Sequence, residues 1–189
     1  SYTTGYSMVE LASKSQLRMS FLRWALFIVP LILLLGWFSG QWSGSGEQNS
    51  WYAALTKPDA TPPGWVFPLV WTTLYILMGL ALSMILHARG AVGRGAAIAL
   101  FIVQLLLNLF WSPLFFRMHQ VTTAFYVILA IFALATLTTV LFGRIRKVAA
   151  WMMVPYLAWL VVAAALNFQI DRLNPDAETL YVPAVSSQI

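Results

Sequence analysis

Cysteine is absent from this chain of 189 residues, and charged residues make up only 9% of it. The lack of cysteine excludes disulfides, thiolate metal ligands and a cysteine nucleophile. Charge is missing above all from the interiors of the long apolar runs, where Asp, Glu, Lys, Arg and His do not occur. Ionisable groups inside a membrane usually mark proton relays and ion-coupled transport, so their absence argues against a pump. His87 and His119 fall at the ends of different runs, which argues against a paired metal site or a histidine acid/base pair.

Apolar residues, by contrast, account for 60% of the chain, and most of them fall in five runs. About 20 apolar residues in a helix cross the hydrocarbon core of a bilayer. The sequence therefore predicts an all-α, polytopic membrane protein with a five-transmembrane-helix bundle. The predicted spans are residues 21–39, 66–86, 96–116, 122–142 and 149–170. The first run is long for a signal peptide and no A-x-A-like site follows it, so we predict that it is retained as a membrane helix.

These spans divide the chain into three regions. Residues 1–20 are polar and mixed, without an apolar period that predicts a helix, and we interpret them as a cytoplasmic N-terminal extension. Residues 21–174 form the membrane domain, and residues 175–189 form a C-terminal tail.

Lysine and arginine are distributed unequally between the two sides that this topology defines. Eight fall on the side of the N-terminus and three on the other side, which predicts a cytoplasmic N-terminus and a periplasmic C-terminus in a bacterial inner membrane. The eight are Lys14, Arg18, Arg23, Arg89, Arg94, Arg144, Arg146 and Lys147, and the three are Lys57, Arg117 and Arg172.

The loop at residues 41–64 is much longer than usual and leads into an unusually aromatic helix start. A helix that only spanned lipid would not need Trp65, Phe67, Trp71 and Tyr75 in such close order after two prolines. Long ordered loops often carry function, and this one is predicted to cover a binding site as a lid.

Amides and aromatics recur at helical spacing in three spans and would meet at one depth beneath this loop. Side chains three or four residues apart share a face of a helix. One interpretation is interhelical hydrogen bonding and bundle packing. The other is a pocket of aromatic faces with a few placed amides, suited to a large planar ligand and to binding rather than hydrolysis. The candidate residues are Trp65, Trp71 and Tyr75, then Gln104, Asn108 and Trp111, and then Tyr156, Trp159, Ala163 and Asn167.

Four segments give the chain a specific likeness to a known family. They are WYAALTKP (51–58), PPGWVFPLVWTTLYILMG (62–79), QLLLNLFWSPLFF (104–116) and PYLAWLVVAAALNF (155–168). In this order, and with five helices, the chain resembles the translocator protein family, also called tryptophan-rich sensory proteins or peripheral-type benzodiazepine receptors. The resemblance implies a five-helix bundle that often dimerises. It also implies binding of protoporphyrin IX or haem, of sterols and of benzodiazepine-type drugs.

The resemblance also implies roles for particular residues. Trp71 and Trp159 match the two pocket tryptophans linked to light-dependent degradation of bound porphyrin. Asn108 and Trp111 match the pocket wall on the third helix, and Ala163 matches the small residue against which ligand packs. Two positions depart from the family pattern. Asp59-Ala60 stands where many relatives have a lid aromatic. The sterol-recognition pattern needs a tyrosine where Phe168 stands, so sterol binding is not predicted.

Taken together, these features predict a receptor-like membrane protein that binds a porphyrin or other tetrapyrrole, without a required cofactor, a metal site or a nucleic-acid partner. Slow light-dependent porphyrin degradation is an activity that the resemblance implies. One alternative is a structural or assembly subunit of a larger membrane complex, for example a photosynthetic one, and a second is a porphyrin or lipid transporter. A homodimer is predicted through the third span, where small residues would let two backbones approach closely. These residues are Gly93, Gly95, Ala97 and Ala99.

Overall fold

The computed structural model describes residues 4–183, and the side chains of residues 14–183. All regular secondary structure in this part of the chain is helical, which confirms the predicted all-α class. Five helices are long and apolar enough to cross a membrane, as predicted. The helices are α1 (Thr4–Ser43), α2 (Ser50–Ala54), α3 (Val66–His87), α4 (Arg94–Ser112), α5 (Val121–Ile145) and α6 (Lys147–Leu173). A π-helical turn (Pro113–Arg117) extends α4, and a 3-10 turn (Ala177–Thr179) lies in the tail.

The first helix is much longer than the predicted span at residues 21–39. It has 40 residues, and at about 1.5 Å per residue it is about 60 Å long, twice the thickness of a hydrocarbon core. The helix itself begins at Thr4 rather than at residue 21, so the N-terminal extension is helical from Thr4 onward, while the start of the membrane-spanning part stays a prediction. Its side chains from residue 14 to residue 19 are exposed, so this part of α1 stands clear of the bundle.

The spanning helices form a ring in the order α1, α3, α6, α5 and α4. In this antiparallel arrangement one end, the loop side, carries residues 44–65, the π-helical turn and the tail. Ser39 closes the ring between α1 and α4 by donating through its hydroxyl to the Leu109 carbonyl at 2.6 Å. At the other end, the Arg94 guanidinium donates to the carbonyls of Ile85 (3.1 Å) and Leu86 (2.6 Å) and thereby caps α3.

Two hydrophobic clusters fill the inside of the ring. The larger one runs along the bundle axis and includes the fully buried Met78, Phe101 and Phe142. The smaller one lies under the loop and includes Trp51 and Phe115. Most of the predicted site residues belong to the larger cluster or pack against it, among them Tyr156, Trp71 and Trp159.

The small residues at the start of α4 do not all lie on its outer face. Ala97 is fully buried inside the bundle, and Gly93 lies in the preceding turn with a φ of 79°. Gly95 and Ala99 are exposed, four residues apart on the outer surface. Of the residues named for a dimer, Ala97 is therefore closed off inside the bundle, whereas Gly93, Gly95 and Ala99 are exposed.

Candidate ligand-binding site

A chain of hydrogen bonds joins three helices across the centre of the ring. The Tyr75 hydroxyl donates to Asn108 Oδ1 at 3.1 Å, and Asn108 Nδ2 donates to the Tyr156 hydroxyl at 2.9 Å. The Tyr156 hydroxyl then donates to Gln104 Oε1 at 2.7 Å. The predicted residues from α3, α4 and α6 are thus brought together, and their polar atoms largely satisfy one another.

Tyr75 reaches this chain because α1 carries a glycine where the tyrosine ring passes. A Cβ added at Gly36 would overlap the Tyr75 ring, so only glycine lets the ring lie against the α1 backbone. Gly79, one helical turn further along α3, allows the same close approach to Val29 of α1. Sequence reasoning missed Gly36, and its one signal was a glycine inside a leucine-rich span.

Aromatic rings cover the loop side of the hydrogen-bonded chain. The Trp71 ring centroid lies 5.4 Å from that of Tyr75 and 6.4 Å from that of Tyr156. Trp159 makes an edge contact with Phe67 at 5.8 Å. Ala163 packs half-buried beside the same apolar cluster. These contacts place flat apolar surfaces next to a few amide and phenol groups.

Trp111 and Asn167 form a second polar contact closer to the loop. Trp111 Nε1 donates to Asn167 Oδ1 at 3.1 Å, and Asn167 Nδ2 donates to the Val121 carbonyl at 2.9 Å. The Trp111 ring stacks on Phe115 with centroids 4.9 Å apart. The pair therefore connects the central chain to the cluster under the loop. Trp65, in contrast, is 69% exposed just before α3 and joins neither group.

Two buried donors at the site have no partner in the described part of the chain, Gln104 Nε2 and Trp159 Nε1. A buried donor without an acceptor costs about 1–3 kcal/mol, so such groups call for an explanation, for which a bound molecule is one candidate. Among the described residues no group of three or more His, Asp or Glu is placed to hold a metal ion. The donors and aromatic faces suit an organic ligand with acceptor atoms.

The loop is folded over the ends of α4, α5 and α6 rather than held away from them. Trp51 is 3% exposed, donates through Nε1 to the Ala177 carbonyl at 2.8 Å and stacks on His119 at 4.1 Å. Asn174 holds the loop at Thr56, where its side chain bonds both the backbone N–H and the carbonyl at 2.7 Å. Asp59 and Ala60 are exposed beyond these anchors. The anchored first half of the loop is thus a cover, whereas Asp59-Ala60 contributes no aromatic to it.

Two titratable groups of this cover have shifted pKa values. Burial, and next the negative charge of Glu47, raise the pKa of the Tyr52 phenol. Burial lowers the pKa of His119, against a smaller opposing effect of its hydrogen bond to the Phe116 carbonyl. Both shifts favour neutral side chains in the packed loop.

An open groove of about 940 Å³ lies beside the loop, and it contains none of the ten predicted site residues. It is formed by the end of α1, the start of the loop, the π-helical turn and the tail. The central chain itself is closed by its own side chains, since Gln104 and Tyr156 are fully buried. A large ligand at the predicted site therefore requires side chains or the loop to move.

Comparison with known proteins finds a family model that covers most of the chain. The TspO/MBR family model matches residues 24–173. Tryptophan-rich protein TspO of Chlorobaculum tepidum is 39% identical over 150 residues, which are 78% of this chain and 93% of that protein. Tryptophan-rich sensory protein of Cereibacter sphaeroides is 39% identical over 128 residues, 68% of this chain and 79% of its own length. Translocator protein of Bos taurus is 37% identical over 146 residues, 76% of this chain and 86% of that protein.

Proposed function

The chain belongs to the TspO/MBR family of membrane proteins, and on this basis we propose that it is a receptor-like protein that binds a porphyrin. The observation that carries the proposal is a pair of buried donors, Gln104 Nε2 and Trp159 Nε1, which have no partner among the described residues and lie beside aromatic faces. A porphyrin offers a flat π-surface to the rings and acceptor atoms to the donors. None of the ten site residues is acidic or basic, which favours binding over acid/base catalysis.

Of the two candidate porphyrins, we propose metal-free protoporphyrin IX rather than haem as the ligand. Haem iron is usually held by histidine, cysteine, methionine or tyrosine. The chain has no cysteine, and its histidines lie at opposite ends of the bundle, His87 at the end of α3 and His119 before α5. The site phenols of Tyr75 and Tyr156 are engaged in the hydrogen-bonded chain.

Titration of the purified protein in detergent with protoporphyrin IX tests the proposal. We expect a Soret shift and quenching of tryptophan fluorescence. Replacing Trp71 and Trp159 by phenylalanine should weaken binding about ten-fold, because each aromatic contact is worth about 0.5–1.5 kcal/mol. The matched control replaces Trp37 and Trp151, which are 64% and 72% exposed, and keeps the same number of tryptophans. Equal quenching and affinity in both double variants would remove the pocket assignment.

Illumination of the same complexes tests the photochemical activity. Trp71 and Trp159 lie on α3 and α6, against Tyr156 and Phe67 respectively. We propose that light absorbed by bound porphyrin drives its slow oxidation next to these indoles, with dissolved dioxygen as the oxidant. Loss of the Soret band under light should be slower with Trp71→Phe plus Trp159→Phe at saturating porphyrin, and unchanged with the control pair.

The N-terminal end of α1 favours a second function, assembly into a larger membrane complex. This helix begins at Thr4, about 20 residues before the part of the chain that matches the family. Its lipid-facing surface is also rich in exposed apolar side chains, among them Leu26 (76%) and Phe27 (63%). Mild solubilisation should then yield a large complex that is lost when residues 1–20 are deleted. Porphyrin binding that survives this deletion would separate the two functions.

The orientation of the protein in the membrane is part of the same proposal. The structure groups Arg89, Arg94, Arg144 and Arg146 at the end of the bundle opposite the loop side. We propose that this end faces the cytoplasm of a bacterium and that the loop faces the periplasm. Because the chain has no cysteine, single cysteines at Ala91 and Ala60 report sidedness directly. An impermeant thiol reagent applied to intact spheroplasts should label Ala60→Cys and not Ala91→Cys.

A further inference from the structure

The open groove on the loop side carries two charges of opposite sign that have no ionic partner among the described residues. Arg117 and Glu178 are the charged residues among those that line it. Neither forms an ion pair with any part of the chain that the structure describes. Arg117 is held in place, since its Nη1 donates to the Trp42 carbonyl at 2.8 Å and its guanidinium lies 4.4 Å from the Trp42 ring centroid. Its other N–H groups remain available to an anion.

The groove also lies where spanning helices end, which is the level expected for lipid headgroups. It is bounded by the last residues of two spanning helices, Ser43 at the end of α1 and Arg117 at the end of the α4 span. Trp42, on the groove wall, is 48% exposed, as interfacial tryptophans commonly are. A molecule in the groove would therefore meet both the aqueous side and the bilayer surface.

An apolar stripe on α1 leads from the groove toward the centre of the membrane. Trp42, Phe38 and Leu34 follow one another at four-residue spacing, and Phe38 and Leu34 are each 63% exposed. A soluble ligand would make no use of this stripe, whereas an acyl chain would lie along it. The stripe therefore favours a lipid over a soluble phosphate ester.

We propose that this groove binds the headgroup of an amino-phospholipid, with the phosphate on Arg117 and the ammonium group on Glu178. One acyl chain lies along Phe38 and Leu34. This site is separate from the central aromatic site and does not depend on porphyrin binding. The lipid is of the ethanolamine type, because that headgroup carries both a phosphate and an ammonium group with N–H donors.

Native mass spectrometry of the full chain in mild detergent tests this site, using dioleoyl phosphatidylethanolamine, phosphatidylglycerol and phosphatidylcholine. We expect the ethanolamine lipid to be retained over the other two. Arg117→Gln and Glu178→Gln should each lower its retention about three-fold or more, the size expected for a solvent-accessible ion pair. The matched controls are Arg172→Gln and Asp59→Asn, which change the same charges at exposed loop-side positions outside the groove.

The outcomes separate the ligand sources. Equal retention of the three lipids, or equal losses in the groove variants and their controls, would overturn the site. Binding of soluble glycerophosphoethanolamine with the same dependence on Arg117 and Glu178, but without lipid retention, would overturn the lipid assignment. If Arg117→Gln also lowers the unfolding temperature, the site is judged from lipid retention by Glu178→Gln alone, since the Glu178 side chain bonds nothing in the described chain.

Discussion

At the scale of single residues, Tyr156 joins the centre of the bundle because its hydroxyl both accepts and donates. It accepts from Asn108 Nδ2 at 2.9 Å and donates to Gln104 Oε1 at 2.7 Å. Tyr156→Phe would leave both amides short of a partner inside the ring. We expect a loss of about 1–3 kcal/mol of stability, seen as a lower unfolding temperature in detergent.

The control for this variant is Tyr126→Phe, because Tyr126 is 63% exposed on α5. It removes the same hydroxyl group without disturbing a buried chain, so its unfolding temperature should stay near that of the parent. A similar fall in both variants would show that the central hydrogen bonds add nothing to stability.

The sequence predicted which residues lie at the centre of the bundle better than it predicted which residues they contact. The spacing of Gln104, Asn108 and Trp111 correctly placed them on one inward face of α4. It could not show that Asn108 bonds two tyrosines, because that depends on how α3 and α6 are rotated about their own axes. Trp65 lies outside the cluster because it precedes the first turn of α3, where helical spacing no longer sets direction. Whether these residues bind a ligand stays a prediction.

At the scale of helices, the contact between α1 and α3 depends on Gly36. Gly36→Ala would push a methyl group into the Tyr75 ring and shift it from Asn108, at a cost of about 1–3 kcal/mol. Gly95→Ala is the matched control, because Gly95 is a helical glycine with nothing within 4 Å of an added Cβ. It should leave stability unchanged or raise it slightly, since alanine favours helix over glycine by about 0.5–1 kcal/mol. The unfolding temperatures of the two variants are measured side by side. An equal fall in both would contradict this account.

The length of α1 shows what periodicity misses. Residues 4–20 have no apolar stripe, so no period predicted a helix there. They nevertheless contain good helix formers such as Leu11, Lys14 and Leu17, and neither proline nor glycine interrupts residues 6–29. Because the membrane span already supplies a helix nucleus, each further residue adds a hydrogen bond without a new nucleation cost. The helix can therefore extend beyond the membrane span.

The loop cover should loosen at acidic pH through His119. Its pKa is lowered from 6.5 by burial, so the unfolded loop takes up a proton at a higher pH than the folded one. Neutral His119 therefore stabilises the folded loop fully above about pH 6.5, and this stabilisation is lost as the pH falls below that value. Hydrogen-exchange protection factors of the Ala53 and Leu55 amides should fall between pH 7.5 and pH 5.5.

The control for this prediction is His119→Asn, which should abolish the pH dependence because the asparagine side chain does not titrate. Asparagine tolerates the positive φ of 59° at this position, which keeps the backbone unstrained. Protection factors that still fall in His119→Asn would assign the effect to a group other than His119.

At the scale of the whole molecule, the number of helices was predictable but their order was not. Five apolar runs predict five spans, because each must satisfy its backbone hydrogen bonds within one helix. The ring order places α6 between α3 and α5, and no local pattern encodes it. The closed centre was not predictable either. The pattern of aromatics and amides predicts a pocket, but it does not show that Tyr156 and Gln104 fill that pocket.

This closed centre predicts that ligand entry is limited by opening of the loop. The cover is held at Thr56 by Asn174, and the chain has no native cysteine. A short reducible cross-linker should therefore join only the two introduced cysteines, Thr56→Cys and Asn174→Cys, and hold the loop closed. We expect the association rate of protoporphyrin IX, followed by stopped-flow tryptophan quenching, to fall at least about ten-fold when locked, because conformational change then limits binding. Reduction should restore the rate of the uncross-linked double variant, which is the control. An association rate unaffected by the lock would instead place the entry path between helices, from the lipid.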